Sequence, residues 1–382
     1  MIQVRRDLHA HPELAGAETR TAGIIADRLK AYGLEVRTGV GGTGVVGVLR
    51  GRSARPVVAY RADMDGLLQN LAEDVPWRST SSGVAHACGH DVHVAVALGV
   101  AEVLSALKSD LPGTVVFLFQ PAEETIEGAK RMIAAGAMDT PRPDVVFALH
   151  VAPFDAGLIA TTPGVGLPGL ERFTVRIKGA TSSAEIANDL LSAIRTAGTV
   201  RFPGGPADWQ RILADLQTRG SALARFAWVN AAFDSSSAGE HVIRGSVKAS
   251  GEDEYTRVLD LVRSRAADLE RQGTACTVAS ERVLPDVRSD AALGEWAVGP
   301  LGEAVGPTSV VTIPNSLPFF GEDFAFYLQK SPGVLFWLGG GSRALPHSPA
   351  FQVDERAIGT GIVAMANLVT ETLRRQSRTG RR

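Results

Sequence analysis

The sequence predicts an α/β fold into which a second, smaller α+β domain is inserted. Over residues 1–160, short continuous apolar runs alternate with helical patterns, and polar side chains follow the ends of those runs. After residue 169 the pattern changes to strands of alternating polarity. We therefore expect residues 1–168 and 286–382 to form the larger domain, and residues 169–285 to form the insertion.

Each element rests on a local pattern. Runs rich in β-branched residues are typical of strands that are covered on both faces, and they occupy residues 57–60, 113–119, 145–149 and 333–338. Apolar spacing predicts helices at residues 19–32, which end before Gly33 as a C-cap, and at residues 92–107. In the insertion, the patterns predict strands at 173–178 and 241–249 and a helix at 253–272.

The composition is that of an ordinary globular protein. The 382 residues are 45% hydrophobic and carry a formal net charge of −2, which argues against a nucleic-acid groove. No apolar run reaches the ~18 residues of a membrane span, and the opening residues lack a signal-peptide pattern. We expect a cytoplasmic protein without nucleic-acid or membrane partners. The basic segment 374–382 is interpreted as a frayed tail, with nucleic-acid contact as a minor alternative.

The segment from His86 to His93 is rich in side chains that can bind a metal. It holds three histidines, Cys88 and Asp91, although the whole chain has only eight histidines and two cysteines. Imidazole, thiolate and carboxylate are the side chains that bind zinc and similar metals. The alternative is that these are ordinary buried histidines. Two cysteines in so long a chain argue against a disulfide framework, and Cys276 is interpreted as a core residue.

Further polar residues are expected to meet this cluster. Asp63 and Asp65, then Glu123 and Glu124, then His150 each follow a predicted strand, and open α/β sheets place their ligand crevice at the carboxyl ends of strands. Adjacent glutamates are often only solvated surface. Here one could bind a metal that lowers the pKa of water to ~7, while the other takes the proton as hydroxide attacks a carbonyl. This pattern indicates hydrolysis of an amide or ester.

These residues resemble the amidohydrolase branch of the co-catalytic metallopeptidases, which includes hippurate hydrolase, N-acyl-amino-acid deacetylases and auxin-conjugate hydrolases. The resemblance covers most of residues 5–170 and again about 318–364. It is carried by seven segments: Arg6–Glu13, Arg61–Asp65, His86–His93, Gln120–Glu124, Ala148–His150, Gly321–Phe324 and His347–Pro349.

The resemblance implies a metallopeptidase-type catalytic domain, with a mixed sheet flanked by helices and an inserted lid through which the chain forms a homodimer. It implies two divalent metal ions (zinc, manganese, cobalt or nickel), with Cys88 bridging them. The implied metal ligands are Cys88, His90, Glu124, His150 and His347. Glu123 matches the general base, and Asp65 matches a carboxylate that supports a metal-bound histidine.

Four further polar residues of these segments are not among the implied metal ligands. Asp91 could orient a ligand or cap the helix that follows it. His93 is expected to support the site rather than bind metal. We expect His9 and His11 to be structural.

The lid departs from the family pattern. The family histidine that stabilises the oxyanion is missing from Lys178–Ala187, and the segment that grips the substrate carboxylate is replaced by Asp234–Ala238. Lys248 stands where an arginine is usual, which gives up bidentate carboxylate recognition. His241 is the only histidine of the insertion, and we expect it at a strand-edge surface.

The predicted function is metal-dependent cleavage of an N-acyl amino acid or related small amide to a carboxylate and a free amine. Two alternatives remain open. One is a dipeptidase or biosynthetic deacetylase whose substrate lacks the usual free carboxylate. The other is a non-catalytic protein that keeps the metals and binds a ligand or partner.

Overall fold

The computed structural model describes residues 1–179, 184–237, 240–342 and 344–379. Within these ranges the helices are α1 (Ile2–Ala10), α2 (Thr19–Ala31), α3 (His90–Ala106), α4 (Gly128–Ala134), α5 (Ala184–Thr196), α6 (Pro206–Gln217), α7 (Glu252–Arg271), α8 (Ala291–Val305), α9 (Ala325–Leu328) and α10 (Arg356–Thr379). The strands are β1 (Glu35–Val40), β2 (Gly44–Arg50), β3 (Val57–Asp63), β4 (Leu67–Leu68), β5 (Val84–Ala85), β6 (Thr114–Gln120), β7 (Val145–Ala152), β8 (Ile159–Thr161), β9 (Gly164–Leu167), β10 (Leu170–Lys178), β11 (Ala227–Ser237), β12 (Glu240–Ala249), β13 (Ala275–Leu284), β14 (Val287–Ser289), β15 (Val310–Thr312) and β16 (Gly333–Gly339).

The chain divides into two compact units. The first comprises Met1–Pro163, Ser289–Thr312 and Phe326–Arg382, and the second comprises Gly164–Arg288 and Ile313–Ala325. The sequence prediction assigned segment 313–325 to the larger domain, but in the structure this segment belongs to the second unit. Asn315 explains the grouping, because its side-chain amide donates to the carbonyls of Asp215 and Thr218, both at 2.7 Å, at the end of α6.

A mixed sheet forms the centre of the first unit. In the described residues its strand order is β1-β2-β6-β3-β7-β16-β8-β15, and the neighbours β6, β3, β7 and β16 are parallel. Every residue of β3, β6 and β16 is buried, which confirms that these apolar runs are covered on both faces. Because parallel strands end at the same edge of a sheet, the residues that follow these four strands come together.

The helices of the first unit confirm one sequence expectation and correct another. Helix α2 ends at Ala31, and Gly33 has a φ of +78°, a conformation that favours glycine at a helix end. The frayed tail was a wrong interpretation for residues 374–379, because α10 continues to Thr379. Arg375 stabilises this end by placing its guanidinium 4.6 Å from the centre of the Trp296 ring.

The second unit contains an antiparallel sheet in the order β11-β12-β10-β13. Its core includes Phe173, Val175 and Ile177 from β10, together with Cys276, which is a core residue as predicted. The surface position expected for His241 was wrong. His241 is only 4% exposed, because β12 is an interior strand between β11 and β10. In the part of the chain that the structure describes, no helix has both the length and the apolarity to cross a membrane.

Candidate metal centre

Four parallel strands of the first unit bring the predicted site residues to one edge of the sheet. Asp63 is the last residue of β3, and Asp65 follows two residues later; Glu123 lies just beyond the end of β6. His150 is on β7, two residues before that strand ends, and His347 lies in the loop that follows β16. Asp63, Asp65 and Glu123 thus lie at or beyond strand ends, whereas His150, which was predicted to follow its strand, lies within β7.

Cys88 and His90 enter the site at the start of α3. Gly89 separates them and has a φ of +83° at the N-cap of this helix, a left-handed conformation that side chains with a Cβ disfavour. This turn lets the thiol precede the helix while the imidazole occupies its first turn. Both side chains are buried.

Hydrogen bonds fix which nitrogen of His90 and of His150 is free to bind a metal. His90 Nδ1 is 2.9 Å from the carbonyl of Asp65 and 3.1 Å from its Oδ1, and His150 Nδ1 is 2.8 Å from the carbonyl of Val151. A carbonyl oxygen only accepts, so both Nδ1 atoms carry the proton. In the neutral form of each ring, Nε2 therefore keeps the lone pair that metal binding requires.

The spacing of the donor atoms fits divalent metal ions. Ligands that share one tetrahedral metal with bonds of 2.0–2.3 Å lie about 3.3–3.8 Å apart. Two distances lie within this range: Cys88 Sγ is 3.5 Å from His150 Nε2, and Glu124 Oε1 is 3.8 Å from His90 Nε2. Glu124 Oε1 is also 3.1 Å from His347 Nε2, which is a hydrogen-bond distance and places this third ligand beside the same oxygen. Within the described chain, the buried His90 Nε2 has no hydrogen-bond partner. A metal satisfies such an atom, so the donor set and the geometry fit the expected ions.

Charge at the site favours a cation. Burial lowers the pKa of His90, but the negative charges of Asp63, Asp65 and Glu124 more than offset this and raise it to about 10. Burial raises the pKa of Glu124, but a hydrogen bond from His347 and the charge of His90 bring it below its ordinary value. The pKa of His150 lies well below its usual range because burial and the neighbouring His93 disfavour its charged form. Carboxylates that stay ionised and an imidazole that stays neutral suit a metal site.

Asp63 and His93 form a support that the sequence did not assign as a pair. The amide of Val151 donates to His93 Nε2 at 2.8 Å, so Nδ1 carries the proton and donates to Asp63 Oδ1 at 2.5 Å. Both ring nitrogens are occupied, which agrees with a supporting role for His93. Asp63 also accepts from Arg61 Nη1 at 2.5 Å and lies 3.7 Å from His90 Nε2. The position of Asp63 at a strand end was the available sequence signal.

Glu123 lies in a tight turn after β6. Glu123 is 7% exposed, and one of its carboxylate oxygens lies within 4.8 Å of donor atoms of His90 and Glu124. Gly128 permits this turn, because a Cβ at that position would lie 1.6 Å from the carbonyl oxygen of Pro121. The turn thus places a second carboxylate beside the predicted ligands.

Asp65 connects two ligands. Its Oδ1 accepts from His90, and its Oδ2 accepts from the backbone N–H of Glu124 at 3.1 Å. We predict that Asp65→Asn weakens metal affinity by about 10–100-fold, because supporting partners of metal ligands have effects of this size. Competition with a coloured chelator measures the affinity. An unchanged affinity would contradict the connecting role.

Asp91 has neither of the two roles considered for it. Its Oδ2 accepts from His9 Nδ1 at 2.7 Å and forms an ion pair with Arg5, whose Nε lies 2.8 Å away, and no side-chain hydrogen bond caps α3 in the described residues. His9 Nε2 donates to Glu73 at 2.9 Å, so this imidazole joins two carboxylates, as befits a structural residue. The helix start is therefore fixed through an ion-pair cluster with α1 rather than through a cap.

This cluster predicts a pH-dependent stability. Burial lowers the pKa of His9, but Asp91 and Glu73 more than offset burial and raise it to about 9. The unfolded value is about 6.5. The stabilisation, about 3 kcal/mol, is therefore complete below pH ~6.5 and is lost as the pH rises through ~9. Urea unfolding at a series of pH values should show this loss, and His9→Gln should remove it. A wild-type curve that is flat across this range would contradict the assignment.

Comparison with known proteins places the chain in a family. The model of peptidase family M20/M25/M40 matches residues 59–371. The chain belongs to this family. As an M20 peptidase relative it is a hydrolase of amide bonds, and the resemblance found in the sequence is confirmed.

Two relatives match nearly the whole chain. N-acetylcysteine deacetylase of Bacillus subtilis is 31% identical over 98% of this chain and 98% of its own length. N-acetyldiaminopimelate deacetylase of Bacillus pumilus is 31% identical over 99% and 98%. Among solved structures, the YXEP protein of Bacillus subtilis, described as a dinuclear metal-binding M20 peptidase, matches with a TM-score of 0.82 and 28% identity over 98% of this chain and 97% of that one.

Proposed function

We propose that the chain is a two-metal amidohydrolase that cleaves N-acyl amino acids, or closely related small amides, to a carboxylate and a free amine. One observation carries the proposal: the donor atoms of Cys88, His90, Glu124, His150 and His347 converge at one sheet edge, with Glu123 beside them. The deacetylase relatives support the substrate class, because each is named for an N-acetylated amino acid.

The chain's own residues supply the proton transfers. The five predicted ligands would hold two divalent ions, which would supply the Lewis acidity that polarises an amide carbonyl and acidifies water. The carboxylate of Glu123 takes a proton from the water that attacks the carbonyl carbon. The same carboxyl group then gives that proton to the amide nitrogen as the C–N bond breaks, so the amine leaves neutral and the carboxylate is regenerated.

The lid bears on which amides are accepted. The segment Lys178–Ala187 lacks the family histidine, and its residues 180–183 lie outside the described residues, as does Ala238. The sequence offers no histidine between His150 and His241. Loss of one oxyanion donor costs about 10²–10³ in rate, so we expect kcat to be modest on ordinary N-acyl amino acids.

A matched substrate panel tests the proposal. The protein is stripped with a chelator, reloaded with zinc, manganese or cobalt, and given N-acetyl amino acids beside the same compounds with the carboxylate blocked as an amide. We expect metal-dependent release of the amine, with the free carboxylate preferred. No amine release from any acetyl, benzoyl or indoleacetyl compound in the metal-loaded protein would favour the non-catalytic alternative.

A preference for the blocked compounds would favour the second candidate, a dipeptidase or deacetylase with an atypical substrate. The replacement of the usual arginine by Lys248 is the observation behind it. The homodimer through the lid and the cytoplasmic location stay predictions, and sedimentation of the purified protein tests the first of them.

A further inference from the structure

A buried glutamate far away in the sequence holds the turn that carries Glu123. Glu18 Oε1 accepts hydrogen bonds from the backbone N–H of Ala122 and from that of Gly16, both at 2.9 Å. Its Oε2 accepts from the hydroxyl of Thr43 at 2.6 Å. Glu18 is 0% exposed, so both of its oxygens are used inside the protein. Burying a carboxylate costs free energy unless hydrogen bonds compensate the lost hydration, and three donors provide that compensation for Glu18.

The position of Glu18 indicates that it serves this turn rather than its own helix. It occupies the N-cap of α2, yet its side chain makes no hydrogen bond to that helix end. A glutamate at this position could remain in solvent, where its negative charge would interact favourably with the dipole of the helix. Instead it points across to the end of β6, 104 residues along the chain.

The backbone that Glu18 holds is strained. Ala122 has a φ of +52°, in the left-handed region that residues with a Cβ rarely adopt, and it is 2% exposed. The carbonyl of Ala122 accepts from the N–H of Gly128 at 3.0 Å, so hydrogen bonds hold the peptide groups on both sides of this residue. Strained residues persist only where their surroundings fix them.

Glu123 therefore lies between two backbone amides that donate to buried carboxylates. The N–H of Ala122 donates to Glu18, and the N–H of Glu124 donates to Asp65. Asp65 also contacts the ligand His90, whereas Glu18 has no hydrogen bond or ion pair with any of the five predicted ligands among the contacts of the described chain. The two carboxylates should thus have separable effects.

We propose that Glu18 is a positioning residue that sets the direction of the Glu123 carboxylate. This inference rests on the proposed function, in which Glu123 moves the proton. Misplacing a reacting group by about 1 Å costs about 10²-fold in rate. Removing the acceptor for the Ala122 N–H should therefore lower kcat without removing the metal.

Three variants test this assignment. Glu18→Ala removes both acceptors. Glu18→Gln keeps one oxygen for the two backbone donors, and its amide can donate to the Thr43 hydroxyl. Glu254→Ala is the matched control, because Glu254 is a 5%-exposed glutamate of the second unit that pairs with Arg225 and Arg257.

For Glu18→Ala we expect a 10–100-fold lower kcat with two metals per chain and KM within about threefold. We expect Glu18→Gln to return kcat to within about threefold of wild type, and Glu254→Ala to lose thermal stability with kcat unchanged. A Glu18→Ala protein that loses only stability would overturn the assignment. An equal loss of kcat in the glutamine variant would overturn it as well.

Amide hydrogen exchange separates this inference from the proposed function. In fragments covering residues 118–128, the Ala122 N–H should exchange at least about tenfold faster in Glu18→Ala than in wild type, and Glu18→Gln should remain protected. This readout needs no turnover. If the wild-type protein hydrolyses no substrate, the proposed function fails while the exchange result still decides whether Glu18 holds the turn, and unchanged exchange overturns that contact.

Discussion

Glu123→Gln should lower kcat by about 10²–10⁴-fold while the protein keeps two metal ions. The amide cannot take a proton from water, and general-base catalysis contributes a factor of this size. The substitution keeps the shape of a side chain that is 7% exposed, so folding should be unaffected. Steady-state kinetics on an N-acetyl amino acid measure kcat, and mass spectrometry measures the number of metal ions bound per chain.

Glu127→Gln is the matched control for this prediction. Glu127 lies in the same turn, but its side chain is 41% exposed and pairs with Lys130. Its replacement should leave kcat and metal content unchanged. Full activity in Glu123→Gln would remove Glu123 from its role, and loss of metal would make it a ligand instead.

Cys88→Ala should remove at least one of the two metal ions and lower kcat/KM by at least about 10³-fold. If the thiolate bridges the ions, its removal weakens the binding of both. The loss of kcat/KM should therefore exceed the 10–100-fold loss that removal of a supporting residue causes. Cobalt-loaded wild-type protein should show thiolate-to-cobalt charge-transfer absorption, and the variant should lack it.

Cys276 supplies the control for the thiol. It is buried in the core of the second unit, and burial raises its pKa to about 11, which makes it a poor thiolate. Cys276→Ala should keep metal, absorption and activity. Charge-transfer absorption that survives in Cys88→Ala would contradict the ligand assignment.

The strand ends made much of the site predictable. An apolar run followed by Asp63, Glu123 or His150 indicates a buried strand with a polar edge, and parallel pairing then brings those edges together. The five predicted ligands could be named in advance only through the resemblance to a known family, which segments such as His86–His93 and Gln120–Glu124 carry. Which nitrogen of His90 is free depends on the carbonyl of Asp65, 25 residues earlier in the chain, and no local pattern contains that information.

Two of the wrong predictions and the failure to notice Glu18 have a common physical origin. His241 looked like an edge residue because neither β11 nor the covering of β12 was visible in the pattern. The basic residues after position 373 concealed a helix that is stabilised through Arg375 and Trp296. Glu18 resembles any acidic residue at a helix start, and only the fold brings it to Ala122. In each case a long-range contact decided the outcome.

Anomalous scattering from a zinc-loaded crystal tests the central claim most directly. We expect two metal peaks in the first unit, with Cys88 in contact with both ions and with His90, Glu124, His150 and His347 as the other protein ligands. Glu123 should lie near the pair without binding either ion. A single peak, or ions bound by His93 in place of these ligands, would contradict the account.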